Sequence, residues 1–157
     1  MGFDYVRLDP HGFEKDIGWA AAVPMLRRLL DAARNAGRTF GVKLTNTLAT
    51  PNTRGVLPGT EMYLSGRALY PLSIGLAADL AAEFAGRLPM SLSGGVAAWN
   101  IAAVLDAGIR PVTLATELLK PGGYGRLRQL AGIAEAHAGG AGRANRVSLP
   151  KLRRLAD

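Results

Sequence analysis

Strand-like and helix-like segments alternate along this chain, and polar or glycine-rich turns follow the strands. Residues 3–8 form the first strand candidate, closed by Asp9-Pro10. A helix is predicted over residues 17–35, where Trp19, Val23, Leu26, Leu29, Leu30 and Ala33 recur at spacings of three and four and Gly37 marks the stop. Residues 40–46 form the second strand candidate and lead into a long connection, residues 47–70, rich in turn chemistry at Thr50-Pro51-Asn52, Arg54-Gly55 and Pro58-Gly59. A helix over residues 71–84 follows, with Leu72, Leu76, Leu80 and Phe84 at four-residue spacing and Pro71 in its first turn. The third strand, residues 88–92, runs into Ser93-Gly94-Gly95 and a helix over residues 99–107. The fourth, residues 111–116, precedes Lys120-Pro121-Gly122-Gly123 and a helix over residues 124–136. Strands alternating with amphipathic helices imply right-handed crossovers and a parallel sheet. The expected fold class is therefore α/β, with four βα units in residues 1–137.

In parallel α/β folds, ligands gather at the carboxyl ends of the strands. Here those ends carry Asp9 and His11, then Thr45-Asn46-Thr47, then Ser93-Gly94-Gly95, then Ala115-Thr116. Ser93-Gly94-Gly95 reads either as a tight turn or as a phosphate loop. In the second case two glycines let the backbone approach an anion, and the following helix offers unpaired N–H groups. The last two strands are also where (β/α) barrels often hold phosphate. Ser65-Gly66-Arg67 is a second backbone-exposing turn, with Arg67 either a surface charge or an anion clamp. Asn46 can donate and accept, which suits the edge of a planar heterocycle, or it caps its loop. His11 is a candidate proton-transfer group, and Lys43 lies in a strand whose parity leaves its direction open.

Composition removes several classes. The chain has no Cys, which excludes a disulfide scaffold, a zinc–thiolate site and any cluster ligated by this segment. HExxH, GxGxxG and a Ser-His-Asp order are absent, so metalloprotease, Rossmann and triad-hydrolase readings have no support. The net charge is +7, but five bases and one acid fall within residues 143–157. No aromatic residue interleaves with them, which argues against nucleic-acid binding. Residues 138–157, opening on a run of Ala and Gly, read as a disordered basic linker or tail. No apolar run approaches the ~20 residues of a membrane span, and the start MGFDYVRLD lacks a signal peptide's order. A cytoplasmic location is the expectation.

Taken in order, residues 41–47 (GVKLTNT), 61–72 (EMYLSGRALYPL), 91–95 (SLSGG) and 115–124 (ATELLKPGGY) form a pattern. It resembles the dihydroorotate and dihydropyrimidine dehydrogenase superfamily of FMN-type TIM barrels, and within it the selenate reductase subunit family. The resemblance covers residues 2–136. It implies that the four units are the C-terminal half of an eight-stranded (β/α) barrel. It also implies that Ser65-Gly66, Ser93-Gly94-Gly95 and Ala115-Thr116 approach the phosphate and ribityl chain of FMN, with Thr45-Asn46-Thr47 beside the ring. The family's loop proton donor and flavin-side Lys are expected upstream, so catalytic residues stay unassigned and no such role passes to Lys43. Iron–sulfur clusters and FAD or NAD(P) sites would belong to segments absent from this chain.

A whole barrel of this type takes about 250 residues. The chain is therefore expected to supply part of a flavin-dependent oxidoreductase. Four strands cannot close the barrel, so apolar faces such as Val42/Leu44 and Val112/Leu114 would need a missing N-terminal half, self-association as a homodimer, or a redox partner. Two other readings stay open: a cofactor-free half-barrel that docks in a redox complex, and a half-barrel that holds a sugar phosphate.

Overall fold

A computed structural model describes residues 7, 9–14, 16–55, 57–137 and 146–157. The expected strand over residues 3–8 lies outside these but for Arg7. A 3-10 turn at Pro10–Phe13 precedes α1, Trp19–Asn35. Then come β1, Val42–Leu44; β2, Leu48–Pro51; β3, Glu61–Leu64; and α2, Tyr70–Glu83, entered through a 3-10 turn at Gly66–Leu69. The chain continues through β4, Met90–Leu92; α3, Ile101–Asp106; α4, Thr116–Leu119; α5, Gly123–Ala136; and α6, Leu149–Ala156.

The parallel sheet expected from the alternation is present. β1 pairs with β4 in the register Val42↔Met90, Lys43↔Ser91 and Leu44↔Leu92. The fourth expected strand joins through a parallel bridge, Leu92↔Val112, with the Thr113 N–H donating to the Leu92 carbonyl at 2.8 Å. Successive side chains alternate across a strand. One face carries Leu44, Met90 and Leu92 into the core, with Val42, Val112 and Leu114 packed against it. The other carries Lys43, Ser91 and Thr113. Of the apolar positions expected to need a partner half or self-association, Leu44 is buried and Val42, Val112 and Leu114 are half-buried against the core. The polar face is the open one, with Lys43 and Thr113 exposed.

α2 sits at the centre of the core. Ile74, Ala77, Ala78, Leu80 and Ala81 are buried, as are Phe84 just beyond it and Leu88. Leu72, expected on the buried stripe, is instead exposed. No residue of α1 is fully buried; Val23, Leu26 and Leu30 lean on the core, while Trp19 and Leu29 face outward. Arg27 ties α1 to α2 by pairing with the Glu83 carboxylate and lying 5.0 Å from the centre of the Phe84 ring.

Two segments differ from expectation. The long connection contains an antiparallel hairpin, β2–β3, in the register Leu48↔Leu64 to Pro51↔Glu61. Its loop is held by the Asn52 carboxamide, which donates to the carbonyls of Leu57 at 2.6 Å and Gly59 at 2.9 Å. The supposed tail also folds over its last residues. The Val147 N–H donates to Gly86, the Ser148 N–H donates to Ala107, and Leu152 in α6 is fully buried. Gly86 and Gly108 admit this segment because a Cβ at either position would strike its backbone. Residues 138–145 of the proposed linker lie outside the described residues.

Candidate functional site

The carboxyl ends of β1, β4 and the Val112 strand open into one cleft of about 190 Å³. All ten residues singled out by sequence line it: Thr45, Asn46, Thr47, Ser65, Gly66, Ser93, Gly94, Gly95, Ala115 and Thr116. Lys43 and Arg67 line it too, as does Glu117, which the sequence reading passed over. His11 does not. Its exposed ring lies 2.7 Å from Glu14, and Asp9 accepts from the His11 N–H at 2.9 Å, so both serve the 3-10 turn.

Three loops interlock at the floor of the cleft. Gly95 has φ +76°, and a Cβ there would meet the Gly66 carbonyl and would lie 2.9 Å from the Tyr70 Cβ. Gly66 has φ +61°, and its own Cβ would fall 2.8 Å from a Thr116 methyl. Glycine is required at both places by backbone conformation and by space. The loop from Gly95 is braced from below by Asn100, which is buried. Asn100 donates to the Gly95 carbonyl at 3.1 Å and accepts from the Ala97 N–H at 2.8 Å. Among the described residues, no hydrogen bond uses the N–H groups of Gly94, Gly95, Val96, Thr116 or Glu117. All five residues line the cleft, and unpaired N–H donors around one small space are the physical requirement of an anion site.

One expectation for this loop is corrected. The helix after Ser93-Gly94-Gly95 starts only at Ile101, so its N-terminus is not the donor. Asn100 holds the preceding residues 95–100 in a non-helical path.

The walls are built from side chains. The Thr45 hydroxyl lies 2.7 Å from that of Ser73, which comes from α2 and is fully buried. Ser73 also fills the space where a side chain at Gly94 would go. Glu117 pairs with Lys120 and lies 3.6 Å from Arg126, so its charge is offset away from the cleft. Behind the floor, Tyr70 is buried and its hydroxyl has no hydrogen-bond partner among the described residues. Burial raises the phenol's pKa above its ordinary value, and the nearby Asn100 carboxamide acts in the opposite direction as the smaller cause. Ser73 and Asn100 escape a sequence reading because neither adjoins a strand end. Their signal was a polar residue inside an otherwise apolar helical stretch.

Among the described residues, no group of three or more His, Cys, Asp or Glu could hold a metal, and no helix is long and apolar enough to cross a membrane.

Comparison with known proteins places these features. A family model described as "Oxidoreductase YgfK, N-terminal TIM-barrel domain" matches residues 1–157. Two curated relatives, each named "Putative oxidoreductase YgfK" and coming from Escherichia coli K12 and O157:H7, are 49% identical over 155 residues. That match takes in 99% of this chain and 15% of each relative, so the chain spans about a seventh of their length. Among solved structures, a ligand-free type DHODH from Eimeria tenella aligns with a TM-score of 0.48 and 19% identity, covering 85% of this chain and 35% of that one.

Proposed function

The chain belongs to the family of the oxidoreductase YgfK N-terminal TIM-barrel domain, and from that premise we propose that it supplies the phosphate-binding half of an FMN site. The observation that carries this reading is the interlock of Gly66, Gly95 and Thr116 around unpaired N–H groups. The cleft volume fits one end of the cofactor. Pockets for drug-sized ligands run to about 300–1,000 Å³, whereas about 190 Å³ suits a phosphate and the sugar-alcohol carbons next to it. The ring would need a further wall.

When bound, FMN supplies hydride and electron acceptance. The residues of this chain do the holding. Loop N–H groups of Gly94, Gly95 and Thr116 bind the phosphate, with Ser65, Ser93 and Ala115 shaping the space around it. Thr45, Asn46 and Thr47 orient the polar edge of the ring by hydrogen bonds. Lys43, on the open polar face of β1, brings positive charge to the same space. None of the described residues lining the cleft is His or Cys, and the reading assigns proton transfer to another segment.

The narrower placement, beside dihydropyrimidine dehydrogenase and the selenate reductase subunits, is supported by the order of the four motifs. The remaining wall would come from another segment of a longer protein or from a second copy. Redox domains carrying iron–sulfur clusters, FAD or NAD(P), and a cytoplasmic setting, belong to the same proposal.

Equilibrium dialysis tests it. FMN should bind saturably, and riboflavin, which lacks the phosphate, about tenfold or more weaker. A sugar phosphate that binds while FMN does not would favour the phosphosugar reading instead.

A further inference from the structure

The phosphate cup is made of backbone groups and small side chains, with Lys43 bringing charge near it, and it leaves the charge of Arg67 without a use. Glu117 is the carboxylate among the described lining residues, and Lys120 and Arg126 already offset it. The side chains of Lys43 and Arg67 make no ion pair or hydrogen bond among the described residues. Their positions differ. Lys43 lies on the open polar face of β1, in register with Ser91. Arg67 directly follows Gly66, whose Cα packs against Thr116 and whose carbonyl touches Gly95.

Arg67 is also held in place. Its guanidinium carbon lies 5.2 Å from the centre of the Trp99 ring. Trp99 in turn meets the buried Tyr70 edge to face, with centroids 5.1 Å apart and planes at 74°. Trp99 stands four residues beyond Gly95, and 54% of its surface is exposed. A guanidinium resting over an aromatic ring keeps the N–H donors at its edge available, because the attraction uses its face.

We propose that Arg67 is the side-chain anion clamp of this cleft, held over Trp99 so that its N–H edge binds the phosphate seated on the Gly94-Gly95 loop. The inference rests on the phosphate-cup reading and names the residue that gives the cup its charge. A backbone cup binds by dipoles alone; a guanidinium adds charge-assisted hydrogen bonds and makes binding depend on ionic strength.

The test uses a Trp19→Phe background, in which Trp99 is the remaining tryptophan. Orthophosphate is titrated while Trp99 emission is followed, and FMN and riboflavin binding are measured by dialysis. Orthophosphate should change the emission saturably. Arg67→Gln should weaken orthophosphate and FMN about tenfold or more, leave riboflavin affinity and the melting temperature unchanged, and be partly rescued by Arg67→Lys. Unchanged orthophosphate affinity in Arg67→Gln, with FMN still bound, overturns the clamp and leaves the flavin reading standing. Orthophosphate bound through Arg67 in a chain that takes no FMN keeps the clamp and overturns the flavin reading. A chain that binds neither ligand overturns both.

Discussion

The hydroxyl of Thr45, at the carboxyl end of β1, lies 2.7 Å from the hydroxyl of Ser73 in α2. Ser73 is fully buried and also packs against Gly94, so one small side chain touches two of the loops that shape the cleft. Ser73→Ala removes that bridge and leaves the Thr45 hydroxyl short of a partner. A neutral hydrogen bond of this kind is worth about 1 kcal/mol net. The expected result in chemical denaturation is a loss near that size. FMN affinity should fall as well, because Thr45 then rotates freely. Native stability in Ser73→Ala would show that the bridge carries nothing.

Gly95→Ala should be more damaging. The backbone there has φ +76°, and the new Cβ would meet the Gly66 carbonyl and the Tyr70 Cβ. A non-glycine residue in the left-handed region costs of order 1–3 kcal/mol before any clash is counted. Loss of anion binding should accompany the loss of stability. Gly125→Ala, inside α5 where a Cβ meets nothing within 4 Å, serves as the control: anion binding should be unchanged and stability should not fall but rise by up to about 1 kcal/mol.

Tyr70 gives a pH-dependent prediction. Its phenol is buried and pushed above the ordinary tyrosine value of 10.0. The neutral form is therefore favoured in the folded chain, and its contribution is fully present below the unfolded value. Above about pH 10 the unfolded state releases a proton that the folded state keeps, so stability falls as pH rises. Tyr70→Phe should flatten that alkaline decline. At neutral pH it should be neutral or slightly stabilising, since it removes a buried hydroxyl without a partner. Thermal melts across neutral and alkaline pH read both effects, and a steeper alkaline decline in the variant would refute the assignment.

The C-terminal helix is expected to be part of the folding unit. Leu152 is fully buried and Val147 nearly so. Leu152→Ala should therefore cost about 2–5 kcal/mol, as large-to-small core substitutions do. Lys151→Ala removes an exposed side chain whose ammonium donates to the Asp106 carbonyl at 3.0 Å, and should cost well under half as much. Equal, small effects would mean that α6 is not docked in solution.

These positions also show what the sequence made legible. The loops at Thr45, Gly66, Gly94 and Thr116 could be found because strand ends carry distinctive turn chemistry, and parallel topology gathers strand ends on one side. Helices α1 and α2 were readable from apolar spacing. The hairpin at Leu48–Pro51 and Glu61–Leu64 was hidden because its strands are four residues each and lie among turn signals. The helix at Leu149–Ala156 was masked by the preceding Gly/Ala run and by its own bases, although Leu149, Leu152 and Leu155 recur at helical spacing. Which strand face packs on the core also had to come from the structure. Lys43, Ser91 and Thr113 alternate with apolar residues, and parity alone does not say which side the helices cover.

The central claim is that loop N–H groups of Gly94, Gly95 and Thr116 hold a phosphate. Amide resonances of the nitrogen-labelled chain, followed through titrations with orthophosphate and with FMN, test it most directly. The account predicts that the amides of Gly94, Gly95 and Thr116 shift in both titrations, and that Asn46 and Thr47 shift with FMN alone. Saturable FMN binding that leaves Gly94, Gly95 and Thr116 unmoved would contradict it.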